Sequence, residues 1–399
     1  MPRLYGQTLT RRQMAERTGN LSQFAGVRLV TLGDGAERGI RTLEFRTGSG
    51  LRFSVAVDRA MDIAEVEHKG RAVGWQSPTG LRHPAFQDDE GEGGLGWTRS
   101  FTGFLATCGL DHILGPEVVP ADGYGYPHRK TQHQTLHGRI ANLPARLTGY
   151  GERWESETCI LWAEGVVRQA TVFGENLALH RRIEAEVGGD VIHLTDRVVN
   201  HGFRPTPHMF LYHINIGHPV LDEGARYLAP IADVVWAAHA GEGYRAQGVG
   251  YTHVPPPSPG FREQVWQHDM QCDAAGLVPV AVVNDRLAFG IEVTTHKDQF
   301  PCAYQWQFFQ SGNYVMGIEP ATHHVLGDRA ARARGEMIWL QAGEARDYAA
   351  SFRVLDGSAE IAEAEARIRS ICGQPENPFP DPSGQFRPLA GRGGPDPLI

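Results

Sequence analysis

Apolar and polar residues alternate with a period of two along much of the chain, a pattern that predicts β-strands. The clearest case is NLALHRRIEAEV, which the turn Gly188-Gly189-Asp190 joins to VIHLTDRVVN. The segment TLEFRTGSGLRFSVAVDRAMDI has the same form around residues 47–50. Both segments are typical of antiparallel hairpins that bury one face and expose the other to solvent.

Further strands are predicted toward the C-terminus, whereas helical patterns are few. The strand patterns are VPVAVVN, LAFGIEVTT, CAYQWQFF, YVMGIE, EMIWLQA and DYAASFRVL. The helical predictions are a short leading helix within residues 8–24 and a helix over SAEIAEAEARIRSICGQ. The stretches QDDEGEGGLG and HVPPPSPG are rich in Gly and Pro and predict loops.

We therefore predict a mainly β chain that folds as one large sandwich of antiparallel sheets. Residues 1–24 would form an N-terminal extension, and residues 25–356 the sandwich domain. Residues 357–399 would form a C-terminal helix followed by an extended tail rich in Pro and Gly.

The composition is that of a soluble globular protein, with 41% hydrophobic and 21% charged residues. A net charge of -8 without a basic stripe argues against nucleic acid or an anionic membrane as partner. No apolar run could span a bilayer, and the N-terminus has no secretory pattern. Five scattered cysteines without a C-x-x-C pair favour reduced thiols and a cytoplasmic location. An exposed sheet edge would allow a homodimer.

Two strand segments carry polar residues where apolar ones are expected. In LYHINIGHPV, strand alternation places His213 and Asn215 on one face and Tyr212 and Ile214 on the other. In YVMGIEPATHH, Glu319 stands at the end of an apolar run. Taken alone, such a histidine is more often bonded to a core carbonyl, and such a glutamate reaches solvent at a strand end about as often as it is held by partners.

Taken together, a glutamate and a histidine on strands of one sandwich supply a proton acceptor and a proton donor near neutral pH. A nucleophile is missing, because the chain has no G-x-S-x-G and no cysteine with a recognisable histidine partner. Phosphate-binding glycine loops are also missing. The sequence thus favours acid–base chemistry over covalent or nucleotide-dependent chemistry.

Other segments could line the same cleft. His137 stands in HGRIANLPA, where it suits contacts to hydroxyl groups, although a solvent-exposed loop histidine is an equal alternative. Arg99 in GWTRSFTGF could point into a cleft, while a surface ion pair is the commoner fate of an arginine. Arg59 and Asp62 in VAVDRAMDI could pair with each other or help to line that cleft.

The segments HGRIANLPA, YHINIGHP and YVMGIEPAT, in this order on a mainly β chain, resemble the galactose mutarotase-like superfamily, the aldose 1-epimerases. DRAMDI followed by WTRSFTGFLATCGL is similar to one branch of it, the DUF4432 family. The resemblance covers roughly residues 25 to 356. It implies a β-supersandwich of antiparallel sheets with a sugar cleft on one concave face.

The resemblance also implies roles for the residues. His213 would protonate the ring oxygen of a cyclic aldose, and Glu319 would remove the anomeric hydroxyl proton. His137 would hold the sugar near its ring oxygen, and Asn215 would orient a hydroxyl or the ring. Arg99 is the implied substrate-binding arginine, with Arg59 as a rival. This chemistry uses a small-molecule sugar and needs no metal and no organic cofactor.

Two other functions fit the same fold. A non-catalytic carbohydrate-binding protein would not need both a glutamate and a histidine, so their joint presence favours the enzyme. A metal-dependent sugar isomerase or lyase could use the additional histidines His133, His208 and His218. Because a sandwich hosts all three functions, the acid–base pair carries the functional prediction.

Overall fold

A computed structural model of the protein describes residues 1–121, 129–238, 248–373, 377 and 379–389. Three antiparallel sheets of eight, seven and five strands form most of this structure, together with two short hairpins. The short hairpins are β1 (Arg3–Leu4) with β2 (Gln7–Thr8), and β9 (Glu117–Pro120) with β10 (Thr131–Gln134). The chain is thus mainly β, as its alternating sequence pattern predicts.

The five-stranded sheet is a meander in chain order. It consists of β3 (Gly26–Thr31), β4 (Arg41–Arg46), β5 (Leu51–Ala56), β6 (Asp62–His68) and β7 (Arg71–Ala72). The hairpin predicted around residues 47–50 is formed by β4 and β5 and is confirmed.

The eight-stranded sheet contains the longest strands of the protein. In spatial order it runs β11 (Ala145–Glu155), β12 (Thr158–Ala170), β13 (Asn176–Glu186), β14 (Val191–Asn200), β24 (Ala345–Asp356), β20 (Phe289–His296), β19 (Leu277–Asn284) and β16 (Arg226–Leu228). In β13 and β14, buried residues alternate with partly or fully exposed ones, which confirms the second predicted hairpin.

The seven-stranded sheet carries the polar residues singled out above. Its strands are β17 (Ile231–Ala237), β18 (Gln264–Met270), β21 (Cys302–Phe308), β22 (Val315–Ala321), β15 (Thr206–Ile216) and β23 (Ile338–Leu340), with β8 (Leu105–Leu110) pairing with β15. Every residue of β15 and β22 is buried, because protein covers both faces of this sheet.

The two faces of the seven-stranded sheet belong to different apolar clusters. Tyr212 and Ile214 of β15 join the main core, which is shared with the other two large sheets. Leu211 of the same strand faces a second cluster, in which the loop residues Trp97 and Phe101 cover the sheet. This division confirms the predicted alternation along β15. The second cluster is where His213 and Glu319 lie.

Helices are short and peripheral. They are α1 (Arg11–Ala15), α2 (Gly91–Gly94), α3 (Asp328–Ala333) and α4 (Ser358–Ile371), and 3-10 turns occur at Leu21–Gln23, Gly35–Glu37, Pro84–Phe86, Gly96–Arg99 and Ile140–Asn142. The predicted C-terminal helix is present. The predicted leading helix is only five residues long, because a single side chain of α1, Met14, is buried and stabilises it.

Both ends of the described chain contact the sandwich. Leu4, Leu9 and Met14 join the main core cluster from the N-terminal side. At the other end, residues 379–389 form an extended strap along the seven-stranded sheet. Ser383 and Gly384 donate backbone hydrogen bonds to Val234 and Val235 of β17. The chain's own tail therefore covers part of this edge of the sheet.

Candidate active site

His213 and Glu319 are direct neighbours across two paired strands. Their positions on β15 and β22 lie between the paired residues Leu211–Ala321 and Ile214–Ile318. His213 Nε2 approaches Glu319 Oε1 to 3.2 Å, and both side chains are about 95% buried. The approach lacks hydrogen-bond alignment, so Glu319 Oε1 has no aligned partner within the described part of the chain, and the other ring nitrogen of His213, Nδ1, has none there either.

Burial shifts the protonation of both groups in opposite directions. Desolvation raises the pKa of Glu319 to about 8, with a further contribution from the charge of Glu263. Desolvation lowers the pKa of His213 to about 3, and the nearby side chain of Asn215 opposes this shift by favouring the protonated ring. At neutral pH the resting pair therefore consists of a carboxylic acid and a neutral imidazole. The two groups hold one labile proton between them.

A glycine makes room for this pair. Gly317 lies on the same face of β22, two residues before Glu319. A Cβ atom at position 317 would lie 2.8 Å from Glu319 Oε1 and 3.0 Å from His213 Cε1. Any larger residue at position 317 would displace the carboxyl and the imidazole, so their close contact depends on a glycine there.

Aromatic rings enclose the imidazole of His213. The ring centroid of Phe101 lies 4.6 Å away, that of Trp306 5.2 Å and that of Trp97 5.9 Å. Trp97 and Phe101 also stack on each other at 4.1 Å. Such rings exclude water, and their faces attract a cation, so they can stabilise an imidazolium that forms during a reaction.

His137 completes the polar part of this enclosure. Its ring centroid lies 5.6 Å from that of His213. His137 Nδ1 accepts a hydrogen bond from the backbone N–H of Leu114 at 3.3 Å, which makes Nε2 the protonated ring nitrogen. Burial, together with His213 and His112, lowers the pKa of His137 well below its usual value. A neutral His137 thus offers one N–H donor.

Asn215 is placed beside His213, as predicted, but its amide nitrogen is already engaged. Nδ2 donates to the backbone carbonyl of Gly103 at 3.0 Å and to that of His213 at 3.3 Å. These bonds tie β15 to the loop that carries Phe101. The Asn215 side chain therefore stabilises the packing of this loop against β15.

The two candidate arginines differ in their surroundings. The guanidinium of Arg59 is buried and donates to the backbone carbonyls of Ala141, Arg82 and Ser100. It thereby joins three loops around the aromatic enclosure. Arg99 is exposed and pairs with Glu92 on the surface.

Asp62 belongs to a buried polar network on the core side of the site. It accepts hydrogen bonds from the backbone N–H and the hydroxyl of Thr107, and it pairs with Arg181 at 2.7 Å. Arg181 also pairs with Asp196. The pairing of Asp62 with Arg59 that the sequence allowed is replaced by the pairing with Arg181. Asp62 thus ties β6 to β8 and to β13.

Three residues of the site were not singled out as site residues from the sequence: Phe101, Trp306 and Glu263. Trp306 is on the same face of β21 as Glu319 on β22, as the alternation in CAYQWQFF would allow. Glu263 lies in the exposed segment before β18, and its Oε1 accepts a hydrogen bond from Trp306 Nε1 at 2.6 Å. An exposed acid in a loop gives no local sequence signal of such a contact.

The histidines considered for a metal are dispersed. His208 is buried and bonds the carbonyl of Leu110 and the hydroxyl of Tyr348. His133 and His218 are exposed. Over residues 1–121, 129–238, 248–373 and 379–389, no three His, Cys, Asp or Glu side chains come together as a metal site. The same residues contain no helix of sufficient length and apolarity to cross a bilayer.

Solved structures with the same fold were found by comparison. The "putative aldose 1-epimerase" of Klebsiella pneumoniae is 26% identical, with a TM-score of 0.78 over 89% of this chain and 91% of that one. A galactose mutarotase-like protein from Clostridium acetobutylicum is 13% identical, with a TM-score of 0.55 over 83% and 98%. The galactose 1-epimerase of Lactobacillus acidophilus is 12% identical, with a TM-score of 0.50 over 83% and 99%.

These structures confirm the galactose mutarotase-like fold of the chain. A search of curated proteins gave no match. The family described as a domain of unknown function, DUF4432, matches residues 37–354, which is most of the chain and includes both His213 and Glu319. The protein therefore belongs to the DUF4432 family.

Proposed function

We propose that the protein is an aldose 1-epimerase-like isomerase that interconverts the anomers of a free or modified sugar. The observation that carries this proposal is the buried contact between Glu319 and His213. Burial raises the pKa of Glu319 and lowers that of His213, so we expect the pair to share one proton at neutral pH. Acid and base in direct contact suit a reaction that takes a proton from one oxygen and gives a proton to another.

The reaction conserves both protons and electrons. The carboxylate of Glu319 accepts the proton of the anomeric hydroxyl, the C1–O1 bond becomes a carbonyl, and the bond from C1 to the ring oxygen breaks. His213, as imidazolium, gives its proton to that ring oxygen. Rotation about the C1–C2 bond presents the other face of the aldehyde, and the reverse steps close the ring.

The resting proton of the pair is sufficient for this cycle. Transfer from the Glu319 carboxyl to His213 across their contact converts acid and neutral imidazole into carboxylate and imidazolium, and no proton is exchanged with solvent. The aromatic rings around His213 would stabilise the imidazolium. The singly protonated pair exists between the two apparent pKa values of about 3 and about 8, so we expect activity within that range.

Substrate access requires a local movement. Phe101 lies against His213, and both reacting groups are almost fully buried. We expect the sugar to displace the ring of Phe101 and to stack on the aromatic wall, with the N–H of His137 bonded near the ring oxygen. Arg99 at the rim is proposed to contact the outer part of the sugar once its bond to Glu92 opens.

The proposal is tested by NMR exchange between α and β anomers over a panel of glucose, galactose, deoxy sugars and sugar acids. We expect acceleration for one class of sugar, and we expect Glu319→Gln to remove it while sugar binding persists. Glu292→Gln, a buried glutamate substitution on β20 away from the site, is the matched control and should keep the activity. Acceleration that survives Glu319→Gln would overturn the assignment, and binding without acceleration would favour a carbohydrate-binding protein.

A further inference from the structure

Glu263 has a place in the site that neither the fold nor the proton-transfer chemistry accounts for. Its carboxylate is exposed to solvent, yet its Oε1 accepts the indole N–H of Trp306 at 2.6 Å. The same indole ring lies 5.2 Å from the His213 imidazole and 5.7 Å from the Phe101 ring. Glu263 thus reaches the reacting pair through one intervening side chain.

The hydrogen bond restricts a ring that its strand alone leaves adjustable. Trp306 is only half-buried, and Gly317, its partner on β22, has no side chain to pack against it. A charge-assisted bond to the indole nitrogen fixes the rotation of the ring about its side-chain torsions. Together with the ring contacts to Trp75, Phe101 and Phe308, this bond fixes the orientation of Trp306 next to His213.

The charge of Glu263 also acts in a setting that contains few other charges. The titratable groups around Glu319 are ones that burial keeps uncharged at neutral pH: His213 and Tyr304 on the adjacent strands β15 and β21, Cys108 on β8, and Tyr227 on β16 of the eight-stranded sheet. Glu263 is the charged group that acts on Glu319 among the described residues, and it disfavours the carboxylate.

We propose that Glu263 is a positioning residue of this site, which anchors the indole of Trp306 against His213 and places a negative charge one side chain away from the reacting pair. The two effects act on different members of the pair. The hydrogen bond shapes the surroundings of the imidazole, and the charge holds the shared proton on Glu319. This inference rests on the proposed function only where rates are concerned, because the titration of Glu319 can be measured without a substrate.

Two substitutions separate the two effects. Glu263→Gln removes the charge and keeps an oxygen that can accept the indole N–H. Trp306→Phe keeps a ring beside His213 and removes the N–H, while the charge of Glu263 stays. Glu16→Gln makes the same charge change on an exposed residue next to α1 and serves as the matched control.

The first measurement is the titration midpoint of Glu319. The infrared band of its carboxyl group reports the titration, and the loss of that band in Glu319→Gln assigns it. Glu263→Gln should lower the midpoint by roughly half a pH unit, as expected for one charge in a partly screened setting. Trp306→Phe and Glu16→Gln should leave it in place. The indole ¹⁵N–¹H signal of Trp306 should keep its position in Glu263→Gln, which would show that the hydrogen bond to residue 263 and the packing of the indole are unchanged.

The rates provide a second readout. Between the two limits of the pH profile, Glu263→Gln should raise the anomer exchange rate about threefold, because half a unit shifts the proton toward His213 by that factor. The alkaline limit should move to lower pH by the same half unit. An unchanged Glu319 midpoint in Glu263→Gln, or an equal shift in Trp306→Phe, would overturn the inference. If the wild type accelerates no sugar, the proposed function fails, and the titration still decides the role of Glu263.

Discussion

Glu319 should weaken the folded protein in alkaline solution, and Glu319→Gln should relieve that weakness. Its pKa is raised from 4.5 to about 8 by burial, so the folded state binds a proton more tightly than the unfolded chain. Stability then falls as the pH rises from 4.5 through 8, because the unfolded state releases its proton first. Glutamine has the size of the protonated acid and carries no such penalty.

The magnitude follows from the shift. One pKa unit corresponds to about 1.4 kcal/mol of differential free energy. The variant should therefore be more stable than the wild type by about 1 kcal/mol at pH 5, about 3 kcal/mol at pH 7 and about 5 kcal/mol at pH 9. The shape of the series, growing with pH and then levelling off, is more informative than any single value.

Urea unfolding at these three pH values, with linear extrapolation to water, measures the difference. Glu292→Gln is the control, because it removes a glutamate that is paired with Arg367 and should lose stability. A Glu319→Gln variant that is less stable than the wild type at pH 9 would refute the reasoning. It would mean that the resting pair is carboxylate and imidazolium, which attract each other.

Two further outcomes are expected from the same site. The pKa of His213 is lowered from 6.5 to about 3, so the stability of the wild type should fall as the pH drops from 6.5 toward 3. His213→Gln should remove about 3 kcal/mol of that loss at pH 4. Urea unfolding at pH 7 and pH 4 measures the difference. Phe101→Ala should cost about 3 kcal/mol of stability and uncover the imidazole of His213. Mass spectrometry after diethyl pyrocarbonate treatment should then show faster modification of His213 but not of the core residue His268; equal rates in wild type and variant would contradict the covering role of Phe101.

Much of the fold could be predicted because alternation is a local property of the sequence. The two hairpins each lie within about 25 residues, and their polar and apolar positions match the faces of the folded sheets. His213 and Glu319 stood out for the same reason, since polar side chains in apolar strands contrast with their immediate neighbours. The structure brings them into contact through the pairing of β15 with β22.

The enclosure of the pair could not be predicted, because it depends on contacts between distant segments. Arg59 fixes carbonyls at residues 82, 100 and 141, and nothing in its local sequence distinguishes these bonds from an ion pair with Asp62. Glu263 and Trp306 are likewise far apart in sequence and become neighbours only when β18 pairs with β21. The conformation of a loop depends on contacts with distant segments, whereas a strand can largely be predicted from its own sequence pattern.

The tail strap has a consequence for how the molecule behaves among copies of itself. β17 is the terminal strand of the seven-stranded sheet, and a terminal strand presents backbone groups that can recruit a strand from another chain. Ser383 and Gly384 occupy the carbonyls of Val234 and Val235 from within the same chain. We expect a protein shortened before residue 383 to expose these two carbonyls and to self-associate more readily through β17.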